Sequence, residues 1–71
     1  MAEELKAHIT GVVFQIAAKA GDAVAEGDAV IVLESMKMEI PVEAPRAGLV
    51  REITVAEGQT VQEGDTVALL D

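Results

Sequence analysis

Apolar residues recur along the chain in short clusters that are rich in Val and Ile and are separated by turn signals. Between Met38 and Glu43 the apolar residues Met38, Ile40 and Val42 recur at every second position, which is typical of a strand with one buried face. In 13–16 and 50–53 the apolar ends are three positions apart, which a β-bulge in each strand would explain. No segment combines a sustained helical apolar stripe with capping residues. The pattern predicts an all-β chain.

The chain contains one pattern twice, at a constant offset of 37 positions and without a gap. The motif Gly-x-Val-x-x-Ile at 11–16 recurs at 48–53, and Glu-Gly-Asp at 26–28 recurs at 63–65. Each copy is one supersecondary unit that cannot bury its apolar face alone. We therefore predict a single domain over residues 1–71, in which two small antiparallel sheets pack face to face with internal pseudo-twofold symmetry.

The repeated glycines and the two prolines indicate where the strands end. Six glycines fall into three matched pairs, which suggests backbone positions with positive φ. Pro41 and Pro45 belong at a sheet edge or in a turn, because proline cannot donate to a ladder. The two Glu-Gly-Asp segments are interpreted as turns rather than as carboxylate dyads or calcium loops.

The segment 35–41 joins the two copies and belongs to neither. We expect a strand over 29–35, a second strand over 38–42, and Met36-Lys37 at the tip between them. The joined strands should project from one end of the domain, with both chain termini at the other end. A two-residue hairpin turn usually contains Asn-Gly or Asp-Gly, because its residues need positive φ. Met-Lys at the tip breaks this rule, which indicates function there unless a longer loop removes the conflict.

Composition excludes several classes of function. The net charge of −8 argues against nucleic acid and anionic membranes as partners, and no apolar run approaches the length of a membrane span. Cysteine is absent and His8 alone cannot build a usual zinc site, so we expect no metal. There is no nucleophile–base pair, which argues against a stand-alone enzyme. The first residues, 1–4, lack the features of a signal peptide, and we expect a cytoplasmic protein.

Three segments resemble biotinyl domains. The sequence Glu-Ser-Met-Lys-Met-Glu-Ile at 34–40 is similar to the attachment motif of that family, commonly Glu-Ala-Met-Lys-Met. Segments 44–50 and 56–65 resemble the family's Ala-Pro-x-x-Gly-x-Val and Gly-x-x-Val-x-x-Gly-(Asp/Gln). The resemblance covers about 5–71 and implies a barrel-sandwich hybrid with a modified lysine on a tight turn.

The resemblance has departures that narrow the subtype. Many members keep a proline near His8, and Ser35 replaces the usual alanine. The chain has no insertion between the early strands like the thumb of bacterial acetyl-CoA carboxylase carriers. It looks more like the compact carriers of propionyl-CoA, pyruvate or urea carboxylases, or a free-standing biotin attachment protein.

The resemblance implies a biotin carboxyl carrier with biotin covalently bound to Lys37. Its implied partners are a biotin protein ligase, a biotin carboxylase that uses ATP and bicarbonate, and a carboxyltransferase; the carrier itself catalyses neither step. Met36, Met38 and Glu34 are implied recognition elements for these enzymes. Two alternatives remain for them: Met38 begins the inward face of its strand, and Glu34 only satisfies the hairpin surface.

Two other functions stay open. A lipoyl carrier shares the fold and the lysine position, but its turn usually reads Asp-Lys-Ala, so the Met-Lys-Met triplet favours biotin. An unmodified barrel-sandwich module can serve as a structural adaptor, although such modules typically lack the lysine found here at position 37.

Overall fold

The computed structural model describes residues 2–71, which form eight β-strands and, within that range, no helix. The strands are β1 (Glu3–Lys6), β2 (Gly11–Ile16), β3 (Ala23–Val24), β4 (Ala29–Ser35), β5 (Met38–Glu43), β6 (Gly48–Ile53), β7 (Thr60–Val61) and β8 (Thr66–Leu70). The predicted all-β fold is confirmed, and the hairpin strands lie within one residue of their predicted bounds.

The strands form two four-stranded sheets, in the orders β1-β8-β6-β3 and β5-β4-β2-β7. All the pairings are antiparallel. The offset of 37 positions carries each strand of the first sheet onto a strand of the second, in the same order across the sheet. The pseudo-twofold relation inferred from the repeat is therefore the symmetry of the fold.

Each repeat contains the predicted bulge. The register between β2 and β4 shifts between Val13 and Gln15, and the register between β6 and β8 shifts between Val50 and Glu52. Residues three positions apart in a regular strand point to opposite faces. The extra residue of the bulge lets Val13 and Ile16 both face the core. Phe14 is left outside, with 49% of its surface exposed.

The core is aliphatic and follows the repeat. Matched positions such as Leu33 and Leu70, or Val13 and Val50, are buried together between the two sheets. The buried residues are Leu5, Ala7, Val13, Ala18, Val30, Ile31, Leu33, Val42, Ala44, Val50, Val61, Val67, Ala68 and Leu70. In the part of the chain that the structure describes, no polar or charged side chain is buried, so burial of apolar surface is the main stabilising contribution.

Backbone hydrogen bonds tie the two repeats to each other. The Gly21 N–H donates to the Val50 carbonyl at 2.8 Å, and the matched Gly58 N–H donates to the Val13 carbonyl at 2.8 Å. A second matched set links Gly27 with Ala44 and Gly64 with Ala7, each at 2.9 Å. The turns of one repeat are thus satisfied by the strands of the other, and neither repeat completes its own hydrogen bonds.

The Glu-Gly-Asp segments are turns, as predicted. The Asp28 carboxylate accepts the Ala25 N–H at 2.9 Å, and the Asp28 N–H donates back to the Ala25 carbonyl at 3.0 Å. Asp65 and Gln62 repeat this arrangement in the second copy. The central glycine has positive φ, 88° at Gly27, which favours the residue without a Cβ.

The prediction of positive φ for all three glycine pairs was wrong for one pair. Gly21, Gly27, Gly58 and Gly64 have positive φ, but Gly11 and Gly48 do not. A Cβ on Gly11 would lie 2.6 Å from the carbonyl oxygen of Glu34, and a Cβ on Gly48 would meet the carbonyl oxygen of Asp71. These two glycines are required because another strand passes very close to them.

The strand pairings place the hairpin and the termini at opposite ends of the sandwich. The last residue of β7, Val61, lies opposite Gly11, beside the hairpin end of β4. After a four-residue turn, β8 runs from there to Leu70, which pairs with Glu3. The two ends of the chain therefore meet at the pole away from the hairpin.

Candidate functional site

The β4–β5 hairpin closes with the shortest possible turn. Ser35 lies opposite Met38, so the ladder extends to the last strand residue on each side and leaves only Met36 and Lys37 between the strands. Both turn residues have positive φ, 53° and 66°. This is the backbone of a type I′ turn, whose twist matches that of the paired strands.

The turn is strained by its sequence. Met36 and Lys37 are the two non-glycine residues with positive φ in residues 2–71. The left-handed conformation costs about 1–2 kcal/mol for a residue with a Cβ. Asn-Gly at these positions would remove most of that strain, so the side chains present here are not explained by stability. Backbone strain that the surrounding structure maintains is a common property of functional sites.

The side chains at the tip extend into solvent. Met36 is 91% exposed, Met38 is 62% exposed, and Lys37 between them is exposed as well. Met38 is in line with the inward-facing Ile40 and Val42, but it lies beyond the end of the core. The alternative that Met38 begins the buried face is therefore not realised. Both methionines are free to contact a partner.

A pair of carboxylates lies directly beneath the turn. Glu34 on β4 and Glu39 on β5 are Cα partners across the hairpin, and both are exposed. Like charges directly opposite each other destabilise a strand pair by an amount on the order of 0.2–1 kcal/mol. The ion pairs among residues 2–71 are Arg46–Glu3 and Arg51–Asp71, and neither involves Glu34 or Glu39. Lys37 is the only lysine or arginine in the hairpin, residues 29–43.

The geometry of the hairpin presents one amine to solvent. Lys37 supplies a single primary amine, and the neighbouring strand residues add the Ser35 hydroxyl and the carboxylates of Glu34 and Glu39. His8 is exposed and lies outside the hairpin. Residues 2–71 contain no group of three His, Asp or Glu side chains arranged to hold a metal ion. The same residues include no helix with the length and hydrophobicity of a membrane span.

Comparison with known proteins shows that the chain belongs to the Biotin_lipoyl family, described as a biotin-requiring enzyme family, with residues 1–70 matched. The biotinylated protein TB7.3 homolog of Mycobacterium leprae is 44% identical over 54 residues, which is 76% of this chain and 76% of that protein. The resemblance seen in the sequence is confirmed. The chain is a biotinyl-type carrier domain, which is not itself catalytic.

Solved structures show the same fold in two settings. The urea carboxylase of Kluyveromyces lactis matches with a TM-score of 0.95 and 39% identity, over 100% of this chain and 6% of that one. The lipoyl domain of the 2-oxoglutarate dehydrogenase complex of Azotobacter vinelandii matches with a TM-score of 0.73 and 31% identity. The match covers 87% of this chain and 78% of that domain. The chain thus corresponds to a small part of the carboxylase and to most of the lipoyl domain.

The sequence-predicted site residues come together at one tip. Met36 and Lys37 form the turn of the hairpin, and Glu34 and Met38 lie on the strands within two residues of it. Sequence reasoning missed the exposed apolar residues on the strand beside it, Val12 and Phe14. The signal was present in the repeat, because the position matched to Phe14 in the second copy is occupied by an arginine, Arg51.

Proposed function

We propose that this chain is a biotin carboxyl carrier that holds biotin in amide linkage on Lys37 and presents it in turn to a biotin carboxylase and a carboxyltransferase. The observation that carries the proposal is the position of Lys37. It is the second residue of a strained two-residue turn, between two exposed methionines, in a domain of the biotinyl family.

The tip fits an acyl group of this kind. An acyl chain on the Lys37 amine meets no strand, because the residues on either side of it are exposed. The ladder beneath is paired to Ser35 and Met38, so the base of the arm is fixed while the arm itself is free. When bound, biotin supplies a ring that accepts a carboxyl group and passes it to an acceptor.

The attachment step is an acyl transfer in which the carrier supplies the nucleophile. The neutral Lys37 amine attacks the acyl carbon of biotinyl adenylate, the amide bond forms, the acyl–phosphate bond breaks, and AMP leaves while the amine proton passes to a base of the ligase. The ligase must supply the base that takes up this proton, because a lysine side chain in water is protonated at neutral pH. The carrier contributes a fixed and exposed position for one amine.

Tethering explains why a carrier needs no active site. A ligand held on an arm has an effective concentration in the millimolar range at sites within its reach. The hairpin therefore replaces diffusion of free biotin between two enzymes. We propose that Met36, Met38 and Glu34 are contacted by those enzymes, since the methionines bury little in the carrier itself.

Co-expression with biotin protein ligase tests the attachment site. We expect the intact mass of the wild-type chain to rise by one biotinyl group, because the family is biotin-requiring and Lys37 is its exposed hairpin lysine. Lys37→Arg keeps the charge and the length of the side chain but removes the acceptor amine, and it should stay unmodified. Lys19→Arg, in an exposed turn elsewhere, is the matched control and should be modified fully.

The same experiment with lipoate ligase separates the second candidate, which the match to the Azotobacter vinelandii lipoyl domain supports. A lipoyl adduct on Lys37 together with no biotinyl adduct would show that the biotin proposal is wrong. A chain that stays unlabelled by streptavidin in its native cells, where other biotin proteins are labelled, would instead indicate an unmodified adaptor.

A further inference from the structure

The two sheets are related by the repeat but differ in charge. The hairpin sheet, β5-β4-β2-β7, contains the acidic residues Glu34, Glu39 and Glu43 and no lysine or arginine. The opposite sheet has acidic residues too, but it also contains Lys6 and Arg51. Since the fold requires the same backbone in both sheets, this difference is a property of the surface and not of folding.

The hairpin sheet also exposes apolar side chains on its outer face. Val12 is the Cα partner of Glu34 and is 40% exposed, and Phe14, the bulge residue two positions further along β2, is 49% exposed. Val32 and Pro41 are paired in the next row of the same face. We call Val12, Phe14, Val32 and Pro41 the outer patch.

Phe14 is poorly explained by stability. It is the only aromatic residue of the chain, and full burial of such a side chain contributes roughly 1.5–3 kcal/mol. A domain with an entirely aliphatic core nevertheless leaves it half outside. The bulge in the other sheet holds the charged Arg51 at the matched position, so the backbone does not demand an aromatic residue. Exposed aromatic side chains are enriched where proteins bind one another.

We propose that the outer patch, with its acidic border of Glu34 and Glu39, docks onto the biotin carboxylase, on a basic surface with an apolar centre beside the entrance to its active site. This inference rests on the proposed function. A biotin carboxylase binds ATP and bicarbonate, and cationic groups gather such anions at a site. A carrier face without a cation is complementary to that surface.

The modification itself strengthens the match. Lys37 is the only lysine or arginine among residues 29–43, and amide formation removes its charge, as acetylation of lysine does. The hairpin of the biotinylated form then bears carboxylates and no cation, whereas the ligase meets the form that still has the ammonium group. A second copy of this chain is a poor occupant, because two chains of net charge −8 repel each other.

The test compares exposed apolar side chains on the outer faces of the two sheets. Phe14→Ser removes the aromatic group from the outer patch, and Leu49→Ser removes a 53% exposed apolar side chain at the position matched to Val12 on the opposite sheet. Both variants are biotinylated fully, checked by intact mass, and their unfolding temperatures are compared with that of the wild type. The biotin carboxylase of the same organism is then assayed with each biotinylated chain, and with free biotin as a control acceptor.

We expect Phe14→Ser to raise the KM for the carrier about tenfold while kcat changes less than twofold, the effect of removing an aromatic contact residue. Leu49→Ser should give wild-type values, and added salt should raise the wild-type KM. Free biotin has no carrier face, so it should show a much higher KM and only verifies that the carboxylase is active. Equal KM values for fully biotinylated Phe14→Ser and Leu49→Ser would overturn the docking proposal and leave the proposed function intact. An effect confined to the ligase reaction, or to self-association, would overturn it as well. A wild-type chain that accepts no biotin overturns the proposed function and this inference together.

Discussion

The turn residue Lys37 combines two requirements that conflict. The type I′ backbone favours residues without a Cβ, but the biotin attachment that we propose at this position requires a long side chain with an amine. The ladder that is paired up to Ser35 and Met38 holds the residue in place despite the strain. The site is therefore less stable locally than the same turn would be with a glycine, and the difference is measurable.

Lys37→Gly and Lys37→Ala separate the strain from the loss of the amine. Both variants lack the acceptor and should stay unmodified with the fold intact, because the tip lies outside the core. Glycine relieves the positive φ whereas alanine keeps it, so we expect Lys37→Gly to be more stable than Lys37→Ala by about 1 kcal/mol in urea unfolding. Equal midpoints would show that the turn is not strained. Loss of cooperative unfolding in either variant would contradict the position of the tip.

At the scale of single elements, the close contact between β2 and β4 sets the hairpin's position. Gly11 allows the Glu34 backbone to pass within a distance that a Cβ would block. The matched contact of Gly48 with Asp71 serves the opposite pole. A methyl group added at Gly11 therefore produces a steric clash near the hairpin, and one added at Gly48 produces the matched clash at the opposite pole.

Gly11→Ala and Gly48→Ala form such a pair. Each should destabilise the domain by about 1–3 kcal/mol, because the new methyl group displaces a neighbouring strand. Only Gly11→Ala moves Glu34, three residues before Lys37, so we expect it alone to slow biotinylation by the ligase at a temperature where both variants are folded. Equal slowing in both would mean that the rate reports global stability and not the position of the hairpin.

The elements show which structural features the sequence determines. The hairpin strands, the bulges and the two-residue tip follow from periodicity and from the repeat, and the structure has all three. The interpretation of Gly11 and Gly48 failed, because a glycine needed for positive φ and one needed for close approach leave the same mark in a sequence. The exposure of Phe14 was also missed, because composition does not say on which side of a bulge an aromatic residue lies. Only the charged Arg51 at the matched position of the second repeat indicates it.

At the scale of the whole molecule, the two repeats depend on each other. Their cores merge between the sheets, and the glycine N–H groups of one repeat donate to carbonyls of the other. The family comparison and the repeat indicate the same architecture. The choice of partners depends instead on exposed side chains, and these differ between the two repeats. This is why the two sheets and their symmetry could be predicted from the sequence, whereas the proposed docking face could not.

Separating the repeats should abolish folding. We expect peptides 1–36 and 38–71 to be unfolded alone at low concentration, since each lacks the partner for its turns and the second sheet for its apolar face. Far-UV circular dichroism with thermal scans measures this. A monomeric half that unfolds cooperatively would show that the interlocking hydrogen bonds are dispensable.

The pairing of Glu3 with Leu70 has a consequence for reach. Any chain joined to either end leaves from the pole opposite the amine, so an attachment there leaves the tip unobstructed. Rotation of the domain about such an anchor moves the amine along an arc, and the length of the domain, 31 Å along its longest axis, adds to the span of the acylated side chain. Under the proposed function, rotation of the rigid domain would let one biotin group serve two active sites that are farther apart than the flexible side chain alone can span.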